Sequence, residues 1–126
     1  MRSLRLHMLL VLGLVMLVVL RTGAQAKIDI TGDWVFQVQT DAGGGEPTVT
    51  FKQDGEKLTG HYSSATLGEA DLTGTVKGTA IDFAFEGNIQ GMPVHVTYKG
   101  TIDGASMKGS MSIAGAINGT FTGKRK

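Results

Sequence analysis

The chain has 126 residues, with twelve Lys and Arg, eleven Asp and Glu, and no cysteine. The absence of cysteine excludes disulfides, thiolate metal sites, a cysteine nucleophile and a lipid-modified cysteine. Without the N-terminal segment described next, nine basic and eleven acidic residues remain, a net charge of −2 that disfavours a nucleic-acid-binding surface.

Residues 1–26 have the pattern of a secretory signal peptide. A basic head with Arg2 and Arg5 precedes an apolar run at 8–20, and Ala24-Gln25-Ala26 is a small-x-small cleavage site. As a helix the run would span roughly 20 Å, less than the roughly 30 Å of a bilayer core. We therefore expect cleavage before Lys27, no stable membrane span afterwards, and a periplasmic or extracellular location.

Residues 27–126 show apolar residues at every second position between turn signals, which predicts eight short β-strands. The opposite parity is nearly all polar, whereas an outer-membrane barrel needs an apolar outer belt. The residues expected to face inward are Ile28, Ile30, Trp34, Phe36, Val38, Val49, Phe51, Leu58, Tyr62, Leu72, Val76, Ile81, Phe83, Phe85, Val94, Val96, Tyr98, Ile102, Met107, Met111, Ile113, Ile117 and Phe121.

The motif apolar-x-Gly-x-apolar occurs six times, and each of its glycines has the inward parity. Glycine weakens a strand, so its repetition needs a local reason, and a tightly coiled sheet supplies one. The pattern favours a barrel over a sandwich: an all-β, eight-stranded, antiparallel, up-and-down closed β-barrel at residues 27–126, after the signal peptide. The six glycines are Gly32, Gly60, Gly74, Gly100, Gly109 and Gly119.

The connections predict two different barrel ends. Three tight turns, at Asp54-Gly55, Lys77-Gly78 and Asp103-Gly104, share one end, which we call the closed end. The other end, the open end, receives longer segments at 41–46, 64–69, 87–92 and 114–116, which carry the apolar residues Leu67, Ile89 and Met92. An eight-stranded barrel holds one small ligand at most, and we expect it to enter there.

Two short motifs resemble a known family. The segment Ile30-Thr31-Gly32-Asp33-Trp34 resembles the Gly-x-Trp opening of the calycins, which include lipocalin, fatty-acid-binding and avidin barrels. The segment at 58–65 is similar to the third strand of streptavidin-like proteins. The resemblance implies a small secreted bacterial barrel domain in which Trp34 closes one end and a basic residue, here Arg125, packs across it.

The resemblance does not extend to biotin binding. Tyr62 and Ser64 match two polar biotin contacts, but Phe36 occupies the position of a third, an Asn, and the chain has a single Trp. A ligand polar group left without its partner costs roughly 1–3 kcal/mol.

Two functions remain open from the sequence. In the first, the protein is an exported noncatalytic barrel whose open end binds a small apolar molecule, with Tyr62 and Ser64 as polar handles. In the second, it is a structural or protein-interaction module with a filled core and no ligand. Inward glycines are compatible with both, because they leave volume or let the barrel narrow. The candidate ligand-binding residues are Phe36, Val38, Tyr62, Ser64, Leu67, Phe85, Met111 and Ile113.

No catalytic, metal or cofactor site is expected. His61 and His95 face outward on different strands, and Asp82 and Glu86 also face outward. No inward carboxylate is present to serve as a general acid or base. The nucleophile-elbow, phosphate-loop and zinc-protease motifs do not occur. The sequence thus predicts a protein that is not an enzyme, and it does not identify a protein partner.

Overall fold

The structure, a computed structural model, describes residues 28–126, so the expected signal peptide lies outside the described residues. Within this range no helix is long and apolar enough to cross a membrane. The strands are β1 (Gly32–Thr40), β2 (Gly43–Gly45), β3 (Thr48–Asp54), β4 (Lys57–Ser64), β5 (Gly68–Lys77), β6 (Ala80–Ile89), β7 (Met92–Asp103), β8 (Ser106–Ile113) and β9 (Ile117–Arg125).

The long strands form a closed antiparallel barrel. From β3 to β9 each strand pairs with the next along the chain, and β1 pairs with β3 on one side. On its other side β1 pairs with β9, from Trp34 opposite Arg125 to Thr40 opposite Gly119. This last pairing confirms the expected eight-stranded barrel and excludes a two-layered sandwich.

The segments at 41–46 and 87–92 correct one expectation, because each is a tight hairpin with a two-residue turn rather than a longer loop. The chain reverses at Asp41-Ala42, and the three glycines that follow pair with the end of β1 as strand β2. The register of β2 on β1 continues that of β3 on β1. The break between them falls at Glu46-Pro47, where proline has no N–H to donate. Strands β2 and β3 are therefore one interrupted strand.

The inward glycines allow neighbouring strands to approach closely. A Cβ added to Gly60, Gly74 or Gly109 would lie 2.0–2.1 Å from a backbone oxygen of the adjacent strand. At Gly100 and Gly119 the corresponding distance is 2.4 Å. No real side chain fits at such distances, so the strong coiling of the sheet depends on glycine there. These contacts give the physical reason for five of the six motif glycines, whereas the sixth, Gly32, has a positive φ of 131°.

All 23 residues expected to face inward belong to the core. Nineteen are buried, and Ile28, Val38, Val94 and Ile117 are partly buried against the others. The eight aromatic residues of the chain are all buried and in contact. Trp34 meets Phe51 edge-on at 6.3 Å between ring centroids, and stacked pairs continue the cluster toward the open end. The barrel is therefore filled from the closed end to its middle.

Side-chain hydrogen bonds and a cation–π contact stabilise the closed end. The Trp34 indole N–H donates to the Ile30 carbonyl at 2.9 Å, and the Arg125 guanidinium lies 4.9 Å from the Trp34 ring centroid. Arg125 also donates to the carbonyls of Thr31 and Asp29 at 2.8 and 2.9 Å. This geometry agrees with the arrangement that the calycin resemblance implied for Trp34 and Arg125.

Candidate ligand-binding site

A cavity of about 160 Å³ lies at the open end, above the aromatic core. Its wall combines aliphatic side chains, glycine backbone and a few hydroxyl groups. It is thus an apolar space with few polar contacts, as is usual for small-molecule sites. The residues that line it are Val38, Thr40, Ala42, Gly43, Gly44, Gly45, Pro47, Tyr62, Ser64, Thr66, Leu67, Ile89, Met111, Ile113 and Ile117.

The cavity exists because two strands diverge at this end. Strand β4 pairs with β3 as far as Ser63 opposite Thr48, and its next residue, Ser64, pairs with Gly68 of β5. Strand β2 continues upward along β1, and in the described chain no strand pairs with its other edge. The triglycine strand also carries no side chains to fill the space. A gap in the barrel wall results.

Leu67 covers part of this gap. It belongs to the short loop between β4 and β5, yet it is only 3% exposed. Its N–H donates to Ser64 Oγ at 2.9 Å, and its carbonyl accepts from the Asn88 N–H at 2.9 Å. A Cβ added to Gly87 would lie 3.3 Å from the Leu67 side chain. Leu67 is therefore held over the core and limits the size of the cavity.

Tyr62 is the main polar group on the cavity wall. Its hydroxyl lies 2.8 Å from that of Tyr98, which does not line the cavity. If Tyr62 donated to Tyr98, the Tyr98 proton would face the dry core without a partner, at a cost of about 1–3 kcal/mol. Tyr98 is therefore the favoured donor, and the Tyr62 proton is left for Ser64 or for a molecule in the cavity.

Both tyrosines are neutral at physiological pH. Burial raises the pKa of Tyr62, although its hydrogen bond with Tyr98 acts in the opposite direction. Burial also raises the pKa of Tyr98, and the nearby Tyr62 raises it further. Tyr62 is the only titratable side chain on the cavity wall, so the cavity carries no charge.

The structure brings six of the eight candidate residues together around the cavity: Val38, Tyr62, Ser64, Leu67, Met111 and Ile113. It places the other two in the core. Phe36 stacks on Phe121 with ring centroids 5.0 Å apart, and Phe85 stacks on Tyr62 at 4.1 Å, which supports the wall from behind. Parity alone placed these two phenylalanines correctly inside the barrel, where they do not line the cavity.

Other residues of the site gave weaker sequence signals. The sequence predicts Leu67 as a candidate residue only because it is an apolar residue in a loop, and it places Ile89 in a loop although Ile89 ends strand β6. The sequence predicts a loop for the glycine run at 43–45. In the structure, this run forms a wall of the cavity. The contact between Tyr62 and Tyr98 joins strands β4 and β7 across the barrel interior. Their shared inward parity was the one signal for it.

A larger concave surface of about 1020 Å³ crosses the outside of the barrel over β1, β8 and β9. Its lining is mainly exposed Gln, Thr and Lys side chains, for example Gln37, Lys108 and Thr122. It is a groove open to solvent, so it would leave one side of a small molecule exposed. The smaller cavity is the better candidate site.

His61 and His95, the two histidines among residues 28–126, face outward, as expected. His61 lies 3.1 Å from Glu69 and 3.3 Å from Asp71, and these carboxylates raise the pKa of its imidazole. His95 Nδ1 lies 2.7 Å from a Glu86 oxygen. Among residues 28–126, no group of three or more His, Asp or Glu side chains is arranged to hold a metal ion.

No protein-family model and no curated protein matches this chain. The closed antiparallel eight-stranded barrel is consistent with a calycin-like fold.

Proposed function

We propose that this protein is a noncatalytic, calycin-like binding protein whose open end takes one small, largely apolar molecule. The observation that carries the proposal is the cavity of about 160 Å³ between the triglycine strand and Leu67. Dry apolar cavities of about 150 Å³ in other proteins accept benzene or xenon. A ligand of about one aromatic ring matches that size.

Hydroxyl groups orient such a ligand. The Tyr62 proton and the Ser64 hydroxyl are available as donors, since Tyr62 accepts from Tyr98 and Ser64 Oγ accepts from the Leu67 N–H. A ligand with a hydroxyl or carbonyl oxygen next to its apolar part complements them. Burial of a methylene gains about 0.8 kcal/mol, so for a single ring we expect dissociation constants of about 0.1–1 mM.

The noncatalytic part of the proposal is supported by the chemistry of the lining. General acid–base catalysis needs a group whose pKa lies near the working pH. Tyr62 alone among the lining residues titrates, and burial raises its pKa further from neutrality. The signal-peptide pattern at residues 1–26 supports a periplasmic or extracellular site of action.

Methyl NMR of ¹³C-methyl-methionine-labelled protein tests the proposal, with 2-phenylethanol as the probe. Met111 lines the cavity, whereas Met107 is buried near the closed end and Met92 is exposed. We expect the Met111 methyl signal to shift saturably while that of Met107 stays fixed. A Met111 signal that does not respond, or equal shifts at all three methionines, would contradict the proposal.

A matched pair of variants localises the binding. Val38 and Val94 are both partly buried near the open end, but only Val38 lines the cavity. Val38→Phe fills part of the cavity, so we expect at least fivefold weaker binding of 2-phenylethanol, with Val94→Phe close to wild type. Equal weakening by both variants would place the probe elsewhere.

The second candidate is a structural or protein-interaction module without a ligand. The observation that favours it is the filled interior, where all eight aromatic rings pack together and leave a cavity below the usual 300–1,000 Å³. This second candidate predicts that the Met111 methyl signal does not shift when 2-phenylethanol or another single-ring probe is added. The same experiment therefore decides between the two candidates.

A further inference from the structure

The two halves of the barrel carry different charges. In the half nearer the open end, the described chain has carboxylates and no Lys or Arg. In the other half, eight basic residues (Lys52, Lys57, Lys77, Lys99, Lys108, Lys124, Arg125 and Lys126) exceed six acidic ones (Asp29, Asp33, Asp54, Glu56, Asp82 and Asp103). The carboxylates of the open half are Asp41, Glu46, Glu69, Asp71 and Glu86.

Two of these carboxylates lie next to the cavity. Asp41 precedes the lining residue Ala42, and Glu46 lies between Gly45 and Pro47, which both line the cavity. The Gln37 amide donates to Glu46 at 3.3 Å, which leaves the charge of Glu46 in place. The other three carboxylates are hydrogen-bonded to the imidazoles of His61 and His95.

We propose that the site selects molecules with a cationic head group over molecules with an anionic one. This inference rests on the proposed function and names the ligand class of the same cavity: an apolar body with an amine-type head. The apolar body occupies the cavity, and the head remains at the mouth among the carboxylates.

The head group remains at the mouth because the cavity offers no counter-charge. Burial of an ammonium ion without a partner is costly, whereas an ion at the rim keeps its water. At the rim, the attraction from one exposed carboxylate is small in physiological salt, because the screening length there is about 8 Å. Five such contributions favour a cation over an anion of the same shape by about fivefold.

The test compares three probes of similar shape: 2-phenylethylamine, 2-phenylethanol and 3-phenylpropanoate. Their dissociation constants are measured from the Met111 methyl shift at pH 8. We expect the amine to bind about fivefold more tightly than the carboxylate at 0.15 M salt, with the alcohol between them. The ratio should exceed tenfold at 10 mM salt and approach one at 1 M salt.

Two double variants with the same change in net charge provide the control. Asp41→Asn with Glu46→Gln neutralises two carboxylates beside the cavity, and we expect it to reduce the ratio to about twofold. Asp82→Asn with Asp103→Asn neutralises two exposed carboxylates of the closed half, and we expect it to leave the ratio unchanged.

The outcomes separate this inference from the proposed function. If the alcohol binds but the amine and the carboxylate bind equally, only the charge selectivity is overturned. An equal effect of the two double variants also overturns it, because the preference would then reflect net charge. If none of the three probes shifts Met111, the proposed function fails and this inference fails with it.

Discussion

The two ends of the barrel differ in how their backbone groups are satisfied and their space is filled. At the closed end, Arg125 and Gln53 donate side-chain hydrogen bonds to carbonyls of residues 28–31, and Trp34 fills the space beneath. At the open end, the triglycine strand contributes only backbone to the wall, and the cavity remains beside it. In one continuous sheet, the closed end is therefore filled by side chains and held by their hydrogen bonds, whereas the open end is only partly filled.

This contrast shows that barrel closure and barrel filling are separate properties. Pairing of β1 with β9 closes the sheet along most of its height. Filling depends on the side-chain volume at each position along the barrel axis. That volume is small beside Gly43–Gly45, which have no side chains. Substitutions at the two ends should therefore have different consequences.

Trp34→Ala should have the largest effect on stability, because it removes the side chain that fills the closed end. Loss of a fully buried Trp leaves a large void and costs about 4 kcal/mol of unfolding free energy. Chemical denaturation followed by far-UV circular dichroism measures it. A loss below about 1 kcal/mol would mean that the closed end does not stabilise the barrel.

Glycine-to-alanine substitutions should have the next-largest effect on stability, and that effect should differ between a glycine that approaches the adjacent strand and one that does not. A Cβ at Gly109 would lie 2.0 Å from the Lys99 carbonyl oxygen, whereas a Cβ at Gly45 has no atom within 4 Å. We expect Gly109→Ala to cost about 3 kcal/mol and Gly45→Ala to change stability by less than about 0.5 kcal/mol. Denaturation of both variants measures the difference, and equal losses would refute the close-approach explanation.

Leu67→Ala should have an intermediate effect on stability and a distinct effect on binding. Since Leu67 already borders a cavity, its truncation should cost about 2 kcal/mol, at the low end for a buried leucine. It also enlarges the cavity, so 2-(naphthyl)ethanol should shift the Met111 methyl signal in the variant more strongly than in wild type. An unchanged preference for the smaller probe would show that Leu67 does not limit ligand size.

The smallest effect concerns pH. Glu69 and Asp71 raise the pKa of His61 in the folded protein above its ordinary value of 6.5. The protonated imidazole therefore stabilises the fold below pH 6.5, and this contribution is lost as pH rises through the raised pKa. The melting temperature of wild type should exceed that of His61→Gln more at pH 6 than at pH 9. A difference independent of pH would exclude this linkage.

The sequence predicted the parts of the molecule that depend on alternation. Inward parity identified the core, including Tyr62 and Met111, and the glycine motif predicted closure. Parity does not show which inward residues border a cavity, so the sequence includes Phe36 and Phe85 among the candidates although neither lines it.

Loop residues were harder to place. Leu67 is buried through hydrogen bonds of its own backbone with Ser64 and Asn88, which no sequence periodicity records. The glycines of β2 have no side chains and thus no alternation, so only their pairing with β1 identifies them as a strand.

The open end contains an apolar cavity, whereas the rest of the barrel is filled by side chains. A crystal pressurised with xenon tests this contrast most directly, because xenon enters dry apolar cavities and scatters strongly. We expect one xenon site, enclosed by Tyr62, Met111 and Ile113. Xenon near Trp34 at the closed end, or none in the barrel, would contradict the account.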